Sequence, residues 1–364
     1  MEFKVISFYK YIEINNPEEL SARLRELCNQ LGILGRILIS KEGINGAVSG
    51  KIVSIEEFKR RINEFFEINF REQEFKENAY HKLVIRIRNQ IVNFGIDVDL
   101  DKKGKYIESE ELKKMLDEKE DFVLLDTRNK HEIKVGRFRN AVDLGINSFR
   151  EFPKNISKLD KDKKIVMYCT GGVRCEKASA FLNENGFKDV NQLQGGIIDY
   201  TNKFNEHFEG SCFVFDDRLT YENSEPITRC MHCDKLSGDY INCNNLDCDE
   251  LFICCKDCEI KMKKTCCLEC KDSGRQRKVK KILNIVGKVI NYYKKPKIAL
   301  VELDKDIKVN SKLGFIGKTT DEFSQEIFEL KDFYGKNIKE ANKGELVTFP
   351  VDFNVRKNDK LFLI

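Results

Sequence analysis

Apolar positions along the chain switch between two spacings, and the switching predicts the elements one by one. Residues 4–12, "KVISFYKYI", form a mostly apolar run of strand length. Residues 16–32, "NPEELSARLRELCNQLG", carry apolar residues at helical spacing, with Pro17 in the first turn and Gly32 just past the end. "GRILISKEGINGAVSG" predicts a hairpin: Ile37 and Ile39 in the first arm, Gly43 and Gly46 at the turn, Ala47 and Val48 in the second arm. A second helix is predicted over "IVSIEEFKRRINEFFEI", and "HKLVIRIRNQIV" alternates as a strand.

The order β-α-β-β-α-β over residues 1–96 is that of a ferredoxin-like (acylphosphatase-like) module. On its last strand Lys82, Arg86 and Arg88 alternate with Leu83, Ile85 and Ile87. That row fits contacts to a nucleic-acid backbone and equally a solvated strand face. Residues 97–115, "DVDLDKKGKYIESEELKKM", are polar and predict a connector. Residues 116–210 then alternate strands with helices, which argues for a parallel sheet with chemistry at the carboxyl ends of its strands. Asp126 and Arg128 end the strand "DFVLLDTRN".

Within this domain "VMYCTGGVRCEKASAFL" places Cys169 at the end of an apolar run, then Thr170, Gly171, Gly172, Val173 and Arg174, then a helix that Gly186 ends. A loop this small and glycine-rich can turn its N–H groups around one sulfur beside a helix N-terminus. That setting favours thiolate over thiol and suits a nucleophilic or sulfur-carrying cysteine. The competing reading is a packed core cysteine. Cys175, one residue after Arg174, reads either as a resolving thiol or as packing.

Composition adds the redox and metal arguments. The 364 residues carry a formal net charge of only +4, so the total selects no acidic or basic class. No apolar stretch is long enough to span a bilayer and the first residues lack a signal-peptide pattern, which predicts a cytoplasmic protein without membrane partners. Fourteen cysteines in that compartment argue against disulfides. Ten lie between Cys230 and Cys270, in residues 211–275: Cys230 and Cys233, Cys243 and Cys248, Cys254, Cys255 and Cys258, then Cys266, Cys267 and Cys270. Three CxxC pairs and one wider pair fit two structural all-thiolate zinc sites built from Cys230, Cys233, Cys243, Cys248, Cys255, Cys258, Cys267 and Cys270. Two thiols are spare, Cys254 and one of Cys266 and Cys267. An iron–sulfur cluster is the alternative metal. Neither GxGxxG nor a P-loop is present, so no flavin or nucleotide cofactor is expected.

After the basic stretch "SGRQRKVKK", with Arg275, Arg277 and Lys278 as further candidate RNA contacts, residues 276–364 hold short apolar runs between polar turns. They predict a small closed β-barrel. It resembles the second-domain barrel of elongation factor Tu-like proteins and the C-terminal barrel of the collagenase-like peptidase family. That resemblance implies a module facing tRNA or the translation machinery; a stability or oligomerisation barrel is the alternative.

"LLDTRNKHEIKVGRF", "VMYCTGGVRCEKASAFL" and "GFKDVNQLQGGIIDY" together resemble a rhodanese domain. The resemblance makes Cys169 the persulfide-forming catalytic cysteine and Arg174 the residue closing its loop. Arg137 stands where many rhodaneses have His, and Tyr200 where many have Trp. With "SFYKY", "GRILISKEGINGAVSG" and the cysteine cluster added, the chain resembles the bacterial rhodanese-domain tRNA uridine(34) hydroxylases from residue 3 to about 275. That implies hydroxylation of the wobble uridine with molecular oxygen, the anticodon arm as partner, and Cys169 adding to the pyrimidine or delivering oxygen from an oxidised form. The rhodanese loop alone supports a sulfurtransferase equally, and a non-enzymatic RNA-binding scaffold is the third reading.

Overall fold

The computed structural model describes residues 2–222, 224–248, 250–277, 284–317, 320 and 322–363. Two compact units are present, Met1–Arg277 and Lys278–Ile364. Among the described residues no helix is long and apolar enough to cross a membrane.

The first unit opens with β1 (Phe3–Tyr11), α1 (Pro17–Leu31), β2 (Leu34–Ser40), β3 (Gly43–Lys51), α2 (Ile52–Asn63), β4 (Phe70–Phe75) and β5 (Leu83–Ile87). The Asn16 side chain caps α1 by accepting from the Glu19 N–H at 3.1 Å, and Gly32 ends it in the left-handed conformation. The five strands run β4-β1-β3-β2-β5. This corrects the sequence-based assignment at one strand. The ferredoxin-like set is closed by β4, and the alternating strand β5 is an addition that pairs parallel to β2. β4 reads "FREQEF" and lies at the sheet edge, so it lacks the apolar alternation that would announce a strand. Gly43 opens β3 directly after the two-residue turn at 41–42, paired with Ser40, whereas Gly46 lies inside β3 and not at the turn. A Cβ on Gly43 would stand 2.1 Å from the Lys10 carbonyl oxygen, and one on Gly46 would stand 2.7 Å from the Phe8 ring.

One face of this sheet is apolar. Ile6, Phe8, Ile37, Ile39, Ile44 and Val48 bury against Leu24, Ile55, Phe58 and Ile62 of the two helices. The alternate residues Ser7, Tyr9, Arg36, Leu38 and Asn45 occupy the other face, with Arg71 and Gln73 of β4, and α1 and α2 leave that face uncovered.

The second domain contains β6 (Lys105–Ile107), α3 (Ser109–Asp117), β7 (Val123–Asp126), α4 (Lys130–Val135), β8 (Gly136–Phe138), β9 (Val142–Asp143), α5 (Phe152–Asn155), β10 (Lys164–Tyr168), α6 (Val173–Glu184), β11 (Asp189–Leu193) and α7 (Gly196–Lys203). Its parallel sheet runs β6-β11-β10-β7-β9. The stretch at 97–115, expected as a connector, supplies edge strand β6, and its continuation α3 buries Leu112 and Met115. Ahead of it, Phe94 is fully buried with its ring 4.9 Å from Phe149, 6.0 Å from Phe152 and 5.7 Å from Phe181.

β12 (Phe208–Phe213) pairs with β8 and with β13 (Thr220–Glu222), and so joins the cysteine-rich segment to the parallel-sheet domain. That segment holds the hairpin β14 (Tyr240–Asn242) and β15 (Leu251–Ile253), then α8 (Lys256–Lys261) and α9 (Leu268–Lys271).

The second unit consists of β16 (Asn284–Tyr293), β17 (Ile298–Leu303), β18 (Ile307–Lys308), β19 (Lys312–Ile316), β20 (Phe323–Glu326), β21 (Lys331–Asp332), β22 (Glu340–Ala341), β23 (Leu346–Pro350) and β24 (Lys360–Leu363). Seven of these form one sheet, β20-β19-β24-β16-β17-β23-β21, curled round a core that includes Val289, Val301, Phe315 and Phe349. The expected closed barrel is corrected to a half-barrel: among the described residues the edge strands β20 and β21 do not pair with each other.

Phe94→Ala removes a ring enclosed by three others and should destabilise the first unit by about 3–5 kcal/mol. Urea unfolding followed by near-ultraviolet circular dichroism measures this; a loss below about 1 kcal/mol would contradict the packing described.

Candidate active site and metal centres

Cys169 follows β10, the middle strand of the parallel sheet, and is 1% exposed. The N–H of Gly172 donates to its sulfur at 3.0 Å. Gly172 stands at φ 95°, a left-handed conformation that lets the loop fold back into the start of α6. Gly195-Gly196 serve the same loop from behind. The Ile197 N–H donates to the Cys169 carbonyl at 3.0 Å, and a Cβ on Gly196 would stand 2.4 Å from that oxygen. Burial disfavours the Cys169 anion, but the Cys175 thiol, the Arg174 charge and the backbone N–H groups of Arg174 and Gly171 outweigh it and hold the sulfur below the ordinary thiol range. Cys175 is pushed well above that range, first by burial and then by Cys169 itself. Its sulfur also lies 3.7 Å from the Thr127 hydroxyl.

Arg174 is 6% exposed and binds Glu132 through both guanidinium nitrogens, at 2.7 and 3.1 Å. Glu132 is fully buried and also accepts from the Asn129 N–H at 3.1 Å, as the third residue of α4. Sequence reasoning gave Glu132 no role. Its one signal was the N-x-x-E spacing at the helix start. Asp126 and Arg128 form a second buried pair, with Arg128 Nη2 2.8 Å from Asp126 and 2.7 Å from the Gly136 carbonyl. This pair braces the turn after β7, at the carboxyl end of the strand where the sequence placed it, and neither residue is among those lining the cavity around Cys169.

The open face of the first sheet covers the loop. Tyr9 and Tyr106 hydroxyls donate to Glu176 at 2.9 and 2.6 Å, the Tyr11 hydroxyl donates to the Val173 carbonyl at 3.2 Å, and Lys177 pairs with Glu42 at 2.7 Å. Arg71 donates to the Gly195 carbonyl at 3.3 Å. None of these partners was legible in the sequence, because each pairs residues more than sixty positions apart. Between sheet and loop lies a cavity of about 1140 Å³ with Cys169, Thr170, Gly171, Val173 and Arg174 at its floor. Of the expected RNA contacts Arg88 lines it. Lys82 and Arg86 are exposed outside it, Arg275 pairs with Asp247 at 2.5 Å, Arg277 sits at the end of the cysteine-rich segment, and Lys278 is outside the described residues.

The ten clustered cysteines form two sets of four. Cys230, Cys233, Cys255 and Cys258 make one; Cys243, Cys248, Cys266 and Cys270 make the other. The pairs interleave along the chain. Sulfurs of Cys233 and Cys255 are 3.6 Å apart, those of Cys248 and Cys266 3.6 Å, and those of Cys266 and Cys270 3.7 Å. A tetrahedral ion with metal–sulfur bonds of about 2.3 Å needs an edge of about 3.8 Å, so the donors fit zinc. The expected ligand Cys267 is replaced by Cys266. Cys267 is the cap of α9, its sulfur accepting from the Cys270 N–H at 3.4 Å. Cys254 is buried and turned to the Cys255 carbonyl, and His232 turns to the Thr265 carbonyl, so both stay outside the sulfur sets.

A parallel α/β domain with an ionisable cysteine in a glycine loop, covered by a second sheet and followed by a thiolate-rich segment, defines a rhodanese-type multidomain protein. Three family models match in that order: UPF0176 acylphosphatase-like domain at residues 3–91, rhodanese-like domain at 108–203 and rhodanese C-terminal at 209–271. The chain is 40% identical over 288 residues to the tRNA uridine(34) hydroxylase of Cytophaga hutchinsonii, covering 76% of this chain and 92% of that protein. It is 38% identical over 290 residues to that of Chlamydia felis, covering 76% and 89%. The chain belongs to the tRNA uridine(34) hydroxylase family. Among solved structures it is similar to a Staphylococcus aureus rhodanese-like domain protein (30% identity, 29% of this chain, 96% of that one, TM-score 0.26). It is also similar to the C-terminal domain of a candidate U32 peptidase from Geobacillus thermoleovorans (21% identity, 22% of this chain, 92% of that one, TM-score 0.22).

Two measurements test the site. Only thiolate alkylates, so the Cys169 rate, followed by mass spectrometry of its peptide, should level off below the ordinary thiol midpoint of about 8.5. The Glu132→Gln/Arg174→Gln double variant, which removes both partners of the buried ion pair together, should move the midpoint upward; a native rate still climbing tenfold per pH unit at about pH 8 would contradict the description. For the metal centres, Cys266→Ser should lose about one zinc per chain by elemental analysis while Cys267→Ser keeps both. The reverse pattern would restore Cys267 as the ligand.

Proposed function

We propose that this protein hydroxylates C5 of the wobble uridine in tRNA, with the Cys169 sulfur as the reacting atom and molecular oxygen as co-substrate. The observation that carries the reading is one buried, ionisable cysteine at the floor of a cavity whose lining includes six arginines. Thiolate addition at C6 of uracil makes C5 nucleophilic; one atom of O2 bonds to C5, the C5 proton and the sulfur then leave to restore the ring, and the second oxygen atom departs as water with two electrons and two protons from an external thiol-class reductant. Arg174 and the loop N–H groups hold the negative charge on sulfur before that addition and take it back afterwards. The base reaches the sulfur only after leaving the anticodon stack.

Both thiolate sets hold structural zinc in this reading: four sulfurs leave no open position for catalysis. The anticodon arm is the partner, the half-barrel of the second unit contacts the translation machinery, and the protein works in the cytoplasm.

Deleting the gene in its host should remove 5-hydroxyuridine and its derivatives from tRNA, read by nucleoside mass spectrometry. The native gene should restore them and Cys169→Ser should not. Intact 5-hydroxyuridine with 2-thiouridine lost would replace this reading by sulfur transfer, and restoration by Cys169→Ser would leave a scaffold.

A further inference from the structure

The cavity is larger and more cationic than a single base needs. Its volume of about 1140 Å³ exceeds the roughly 300–1,000 Å³ of pockets that enclose a drug-sized ligand. Six arginines line it, Arg36, Arg71, Arg88, Arg150, Arg174 and Arg218, against two carboxylates, Asp97 and Asp216. Half of the arginines face a carboxylate. Arg174 binds Glu132, Arg218 binds Asp216 at 2.8 Å, and Arg71 lies 3.9 Å from Asp199. Arg36, Arg88 and Arg150 come from three separate stretches, and the contacts of the described residues give none of them a carboxylate. Arg36 projects from the middle of β2, and the Arg88 N–H donates to the Ile39 carbonyl further along the same strand. The two therefore flank one edge of the cavity about 13 Å apart.

Phe215 completes the arrangement. Its side chain lines the same cavity and the residue is 51% exposed, although the ring is held from behind by Phe213 at 5.3 Å. The Arg174 guanidinium lies 5.9 Å from the ring centroid and also stabilises the Cys169 anion. One cation thus joins the exposed aromatic face to the reacting sulfur.

We infer that the cavity takes a short single-stranded RNA segment and not a lone nucleoside: the target uracil stacks on Phe215, and the phosphates flanking it sit on Arg36 and Arg88. The inference rests on the tRNA reading and assigns the residues that position the substrate. Stacking tolerates any base, so Phe215 holds the ring while the loop acts on it. The unpaired arginines read charge and not sequence.

The test uses the full-length protein and a synthetic anticodon stem-loop with uridine at the wobble position, beside the same RNA made abasic there. Affinity is measured by fluorescence anisotropy across a salt series. Arg36→Ala and Arg88→Ala should each weaken binding and flatten the slope of log affinity against log salt by about 0.7. Phe215→Ala should weaken binding roughly 5- to 100-fold, and Phe215→Tyr should restore it. The abasic RNA should cost native protein as much as Phe215→Ala costs the normal RNA, and the two losses combined should be no larger than either. Unchanged slopes in the arginine variants, or an abasic penalty that Phe215→Ala leaves intact, would overturn the inference while the nucleoside assay still supports hydroxylation. A native protein that fails to bind the stem-loop would also overturn it, and the nucleoside assay then decides the function separately.

Discussion

Everything at the site depends on keeping a negative sulfur stable in a place with almost no water. Cys169 is 1% exposed, and burial alone would hold it protonated. The Cys175 thiol works against burial first, then the Arg174 guanidinium and the N–H groups of the glycine loop at the N-terminus of α6. Arg174 can serve only if its own position is fixed, and Glu132 fixes it through two hydrogen bonds. Glu132 is in turn set by the first turn of α4. A chain of local geometry therefore runs from the end of β7, through α4, to a charge on a sulfur after β10.

The first domain is part of that arrangement and not an attachment to it. The first turns of α6 bury Arg174, Cys175, Glu176 and Lys177 in succession, which no helix face facing water would do. They are buried because Tyr9, Tyr11 and Glu42 approach from the first sheet and satisfy them. The parallel-sheet domain carries the sulfur; the first domain roofs it and brings three of the six arginines, Arg36, Arg71 and Arg88, to the cavity. Separating the two would expose a helix start lined with polar groups that have lost their partners, and would open the thiolate to solvent.

What the sequence disclosed follows from how local each feature is. The cysteine loop was legible because its strand, glycines, arginine and helix are consecutive. The two thiolate sets were legible as a pair count, yet their sharing was not, because spacing cannot tell which of two adjacent cysteines faces inward. Cys266 and Cys267 differ only in that one caps a short helix. β4 was missed because an edge strand reading "FREQEF" has little apolar signal, and β5 took its place in the expected order because it has a strong one. The open half-barrel read as closed because turn residues set strand number, not whether the last edges meet. Glu132, Tyr9, Glu176 and Phe215 emerged only from the fold, since their roles lie in contacts between distant segments.

The charge distribution inside the cavity also bears on what can enter it, and how deep. At the floor positive and negative groups are matched: Arg174 with Glu132 behind it, and the cysteine sulfur set against loop N–H groups and a helix start. A phosphate brought there would meet anions already in place within a medium of low dielectric, where like charges repel strongly. At the rim the balance is different, because Arg36, Arg88 and Arg150 have no carboxylate among the described residues and are exposed to solvent. A neutral, flat ring is thus favoured inward and a charged backbone outward. In the proposed complex that polarity orients a nucleotide base-first toward the sulfur without any group needing to read the base, and it follows from which arginines lack a carboxylate among the described residues.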